Sequence, residues 1–116
     1  HDLRDLNEAA DFAQSLVDKG AARIVIVARD REGSVLATRG QRLHAPAANV
    51  PVKSKVGAGD TFVGAFTMAL AQGLDLGQAL SWGVAGASAA VMTDATRLCV
   101  REDAEGLRTD CVARPI

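Results

Sequence analysis

The sequence has no tyrosine and few aromatic residues of any kind, with three phenylalanines and one tryptophan in 116 residues. Stacking platforms for single-stranded nucleic acid are therefore excluded. Charge of one sign is missing as well. Thirteen Lys and Arg residues face fourteen Asp and Glu residues, for a net charge of -1. No basic excess exists to attract a phosphate backbone, so no nucleic-acid partner is expected. Long hydrophobic runs are absent. The longest near-apolar stretch, Gly83 to Met92, falls far short of the ~20 residues a membrane span needs. Cysteine is limited to Cys99 and Cys111, with no CxxC pair. That excludes a disulfide framework and a cysteine-rich zinc site. Two reduced thiols, and no signal-peptide pattern, lead to the expectation of a cytoplasmic protein.

What is present is ordinary for a folded domain: 48% apolar and 23% charged residues. The length suits one small domain or part of a larger one. The chain opens on His1 within a helix approach, which points to a piece of a longer protein.

The apolar periodicity gives the elements. His1 to Gly20 predicts a helix, with Asp5 as N-cap and Glu8 at the capping-box spacing. Leu6, Ala10, Ala13 and Val17 form its stripe, with Phe12 and Leu16 beside them. Gly20 follows as a C′ glycine. Arg23 to Ala28 is a short β-branched run of the kind buried on both faces in a parallel sheet. A charged turn over 29–33 leads to a strand at Ser34–Thr38. A turn at Arg39-Gly40 then leads to another at Arg42–Ala45, with hairpin spacing. Pro46 and Pro51 bracket an extended connector. Thr61–Gln72 predicts a helix with Phe62, Ala65, Phe66, Ala69 and Leu70 on one side. Asp75 predicts the cap of a second helix running to about Met92. This last helix carries a large-residue stripe (Leu76, Leu80, Val84, Ala87, Val91) beside a small one (Ala79, Gly83, Gly86, Ala90). Small residues admit another backbone or a flat ligand. A short helix over Arg101–Leu107 ends the pattern. The order of elements reads as α/β.

One segment carries chemistry. Gly57-Ala58-Gly59-Asp60 stands where a helix begins. The first N–H groups of a helix have no partner within it, and the dipole there favours anions. A phosphate would be stabilised in that position. Asp60 has two readings: an N-cap accepting first-turn N–H groups, or a general base for a hydroxyl attacking phosphorus. Two familiar phosphate loops are excluded. There is no GxxxxGK[ST] string, and Phe62 stands where a dinucleotide fingerprint has its third glycine.

Val56-Gly57-Ala58-Gly59-Asp60-Thr61-Phe62-Val63-Gly64-Ala65-Phe66 resembles the second signature of the ribokinase-like (PfkB) carbohydrate kinases. Trp82 to Ala85, and Ala95-Thr96-Arg97-Leu98-Cys99, are similar to the branch holding the minor 6-phosphofructokinase and 1-phosphofructokinase. The likeness runs from about His1 to Leu107. It implies a partial three-layer α/β/α sandwich, with residues 1–116 as the C-terminal, nucleotide-side part of the kinase domain. It also implies ATP-dependent phosphoryl transfer, with Mg2+, to a sugar phosphate such as fructose 6-phosphate or fructose 1-phosphate. Asp60 matches the family's base, and the amides of Gly57, Ala58 and Gly59 its anion hole. An anion hole of this kind contributes about 3–4 kcal/mol per well-aimed donor. Gly33, Val84, Ala87 and Ser88 match nucleotide-binding positions, although small helix residues serve packing equally. A monovalent-cation site, for K+, would match Ser54, Val56, Ala90, Thr93, Ala95 and Arg97.

The sequence departs from the family pattern in two places. The usual Ser-Leu-Gly-x-x-Gly after the buried strand is here Ala28-Arg29-Asp30-Arg31-Glu32-Gly33, in which only Gly33 fits. Asp30 brings a carboxylate beside a polyanion, a repulsion of about 4 kcal/mol at ~4 Å and an effective dielectric near 20. Arg29 and Arg31 offset it if they seek phosphate; the other reading is a solvated turn. The family's sugar pocket, lid strands and Asn-x-x-Glu motif correspond to chain upstream of His1. The chain is thus expected to depend on that upstream half or on a homodimer partner. The alternatives are a truncated or degenerate, inactive nucleotide-binding remnant, and an interaction piece that packs through an open sheet edge.

Overall fold

The computed structural model describes residues 3–20, 22–29, 32–50, 58–92 and 105–116. Its elements are α1 (Leu3–Asp18), β1 (Val25–Ala28), β2 (Ser34–Thr38), β3 (Gln41–Ala45), α2 (Ala58–Ala71), α3 (Leu76–Val91), a 3-10 turn (Arg108–Cys111) and β4 (Arg114–Pro115). The strands form one sheet in the order β1-β2-β3-β4, and each neighbouring pair is antiparallel.

Side-chain alternation along the strands separates two apolar layers. Val25 and Val27 of β1 and Ala37 of β2 meet Ala13 and Val17 of α1. Ile26, Leu36, Leu43 and Ala45 point the other way, onto Leu80, Val84 and Ala85 of α3. The sheet is therefore covered on both faces, and the three-layer α/β/α arrangement is present.

Several sequence expectations change in detail. Helix α1 is already running at Leu3, so Asp5 lies inside it and does not cap it. Leucine and arginine are good helix formers, and nothing before Asp5 stops the helix. Gly20 does end it, at φ +77°. Phe12 is 59% exposed. It lies two residues from Ala10, about 200° around the helix, and so faces away from the sheet. Strand β1 is half-buried and antiparallel to β2. A short apolar run does not by itself distinguish a central parallel strand from an outer antiparallel one. The β2–β3 hairpin forms as expected, with register Thr38↔Gln41.

Helix α3 begins where Asp75 predicts. The Asp75 carboxylate accepts from the Gln78 amide at 2.8 Å, and the Gln78 side chain accepts from the Asp75 amide at 3.1 Å. This reciprocal box satisfies two N-terminal donors. Helix α2 lies alongside α3, and the small-residue stripe explains how closely. A Cβ on Gly83 would stand 3.0 Å from the Phe62 ring, and one on Gly86 3.2 Å from Ala65. That stripe receives another helix. Phe62 and Phe66 stack with centroids 6.2 Å apart.

The expected helix over Arg101–Leu107 lies partly outside the described residues. Its final turn continues as the 3-10 turn, and β4 follows on the edge of β3, a strand that two residues of sequence do not signal. No helix among the described residues is long and apolar enough to cross a membrane.

Candidate active site

Helix α2 starts three residues before the predicted Thr61, so Ala58, Gly59 and Asp60 form its first turn. Asp60 is therefore inside the helix and is not its N-cap. A carboxylate in the first turn is still favoured by the helix dipole. The glycine-rich string enters the helix because alanine is the best helix former and the first turn tolerates glycine.

This helix start borders a cavity of about 930 Å3. Five stretches of chain wall it, β1 among them through Ile26 and Ala28. Gly33 and Ser34 close it at the β1–β2 turn, and Ala47 to Val50 form an outer wall. Ala58, Gly59, Phe62 and Val63 come from α2, and Val84, Ala87, Ser88 and Val91 from α3. Its size falls in the range of roughly 300–1,000 Å3 typical of small-molecule sites. Ala58, Gly59, Gly33, Val84, Ala87 and Ser88, all proposed from sequence, thus converge on one space. Asp60 is exposed and is not among the lining residues. Gly57, Ser54, Val56, Thr93, Ala95 and Arg97 lie outside the described residues; Ala90 is buried near the end of α3.

The turn beside the cavity is built on Gly33. Its φ is +85°, and a Cβ there would stand 2.0 Å from the Ala45 carbonyl oxygen. Only glycine meets both conditions without strain. The Arg29 amide donates to the Gly33 carbonyl at 2.8 Å, and the Glu32 amide to the Arg29 carbonyl at 3.0 Å. The Arg29 guanidinium pairs with the Glu32 carboxylate within the turn. Arg29 therefore closes the loop locally, which agrees better with the polar-turn reading than with the phosphate-seeking one. Asp30 and Arg31 lie outside the described residues. His44 Nε2 lies 2.7 Å from the Glu32 carbonyl oxygen and ties the turn to β3.

Ser88 has a second task that sequence reasoning missed. Its hydroxyl accepts from the Ala48 amide at 3.2 Å. The Cys111 thiol lies within hydrogen-bonding reach of both Ser88 and the Ala48 amide. Cys111 is fully buried, and burial pushes its thiol up from the ordinary 9.0. The wall at 47–50 was also missed as a lining segment; the bracketing prolines were its only signal.

Among the described residues, no group of three or more His, Cys, Asp or Glu side chains is placed to hold a metal ion.

A doubly covered sheet with an apolar cavity at a glycine-bearing helix start makes this an α/β protein with a candidate small-molecule site. The chain belongs to the pfkB family of carbohydrate kinases, whose model matches residues 1–103. It is 34% identical over 105 residues to the ATP-dependent 6-phosphofructokinase isozyme 2 of Escherichia coli, covering 88% of this chain and 34% of that protein. A crystal structure of Escherichia coli phosphofructokinase-2 in complex with potassium superposes with a TM-score of 0.80 at 33% identity, over 85% of this chain and 32% of that one. Ribokinase from Thermotoga maritima gives 0.77 at 27% identity, over 86% and 34%. The chain therefore spans about a third of the length of the relatives it matches.

Proposed function

We propose that this chain is the nucleotide side of an ATP-dependent sugar-phosphate kinase, with fructose 6-phosphate or fructose 1-phosphate as acceptor. The observation that carries the reading is the convergence of Ala58 and Gly59 with Gly33, Val84, Ala87 and Ser88 on one cavity. The adenine ring fits the apolar side of the cavity that α2 and α3 border, beside Val84 and Ala87. The phosphates extend toward the α2 start, whose amides, with that of Gly57, stabilise charge on the transferring group. Asp60, one residue further along the turn, takes the proton from the acceptor hydroxyl. The acceptor oxygen then bonds to the γ-phosphorus while the bond to the bridging oxygen breaks, and ADP leaves with that electron pair. Magnesium bound to the nucleotide supplies further charge neutralisation on the phosphates. Potassium, by likeness to the Escherichia coli structure, belongs near the 54–56 and 90–97 segments. Nothing in this reading requires Arg29, whose charge is already paired.

A second reading is favoured by one observation. Asp60 is exposed and does not line the cavity. If no acceptor pocket faces it, the chain holds a nucleotide without transferring phosphate. ADP release with MgATP and fructose 6-phosphate separates the two: turnover supports the kinase, and MgATP binding without turnover supports the inactive binder.

A further inference from the structure

The family match ends at residue 103, yet the tail beyond it is built into the core. Cys111 is fully buried among Leu36, Leu43, Leu80 and Val84. The Arg108 guanidinium stands 5.1 Å over the Trp82 ring. The Ala113 amide donates to the Ser81 hydroxyl at 2.9 Å, and the Ile116 amide to the Arg42 carbonyl at 3.0 Å. Ser81 and Ser88 lie two turns apart on α3, so one side of that helix bonds the tail and the cavity wall together. At Ser88 the two meet, because hydroxyl, thiol and the Ala48 amide share one cluster.

We propose that the C-terminal tail is a positioning element of the cavity: Ser88 and Cys111 together hold the Ala48 amide and so fix the connector that forms the outer wall. The inference rests on the nucleotide reading of that cavity. Ser88 then acts through Ala48 and need not touch the ligand, and Cys111 acts one step further back. Losing Ser88 removes the acceptor of a buried amide, and losing Cys111 removes the thiol that packs against that hydroxyl and amide; either way the wall segment loosens.

The test compares wild type with Ser88→Ala, Cys111→Ala and Cys111→Ser. It reads amide exchange at Ala48 without ligand, and the dissociation constant for MgATP. Far-UV circular dichroism of each variant checks that the fold is kept, and alanine at 88 is favourable for the helix itself. The two alanine variants are expected to speed Ala48 exchange and to weaken MgATP binding, each by roughly three- to tenfold. Cys111→Ser keeps a hydrogen-bonding group and is expected to stay close to wild type. A role in packing alone predicts the reverse order, since a buried hydroxyl costs more than a methyl. Unchanged Ala48 exchange in both alanine variants, or Cys111→Ala outperforming Cys111→Ser, overturns the proposal. If exchange quickens as expected but wild type binds no MgATP, the strut stands and the nucleotide reading fails.

Discussion

Gly33 concentrates more constraint than any other single residue near the cavity. Its backbone is left-handed, and the Ala45 carbonyl occupies the space a side chain would take. Gly33→Ala is expected to lower unfolding free energy by about 2–4 kcal/mol, combining left-handed strain with overpacking. Denaturant titration reads it directly. Asp60 makes the opposite kind of prediction. It is exposed in the first turn of α2, so Asp60→Asn should leave the melting temperature nearly unchanged. In the catalytically competent protein, the same variant should lower kcat by about 10²–10⁴, the usual contribution of a general base. Cys111 adds a pH dependence. Burial raises its thiol above the ordinary 9.0, and the Asp110 carboxylate pushes the same way against the Ser88 and Ala48 hydrogen bonds. Well below pH 9 the thiol is neutral whether the chain is folded or not. As pH rises beyond that, the unfolded chain ionises first, so stability falls through the raised folded value. Stability measured from pH 8 to 10.5 should drop less steeply in Cys111→Ala than in wild type.

At the scale of elements, Asp75 is the clearest case of a sequence signal and a structure in agreement. It precedes an apolar period, and its carboxylate caps α3 with Gln78 closing the box. Asp75→Ala is expected to cost about 1 kcal/mol, and Asp75→Asn much less, in thermal or chemical unfolding. The small stripe on α3 was equally legible as a close-approach surface, but sequence did not choose between a helix and a flat ring. Packing made that choice, because Phe62 fills the space over Gly83. Where sequence failed, a local pattern had two solutions. The run at β1 suits a central or an outer strand. Asp60 suits a cap or a first-turn residue, and the α2 boundary decided between them. Strand β4 is two residues long and exists only because β3 offers it an edge. The serine–thiol–amide cluster joins residues 48, 88 and 111, a separation that no periodicity reveals.

For the whole molecule, the three layers and the cavity follow from one division of labour. One sheet face is closed by α1, and the other receives α3 with α2 beside it. The helix start and the glycine turn border the same space. That convergence was foreseeable only through the family likeness, since residues 33, 58–59 and 84–88 are far apart in sequence. Hydrogen exchange of the protein with and without MgATP measures it directly. The expected result is slowed exchange confined to residues 33–34, 47–50, 57–63 and 84–91. Slowing spread elsewhere, or no change at saturating MgATP, would contradict a nucleotide seat at the start of α2.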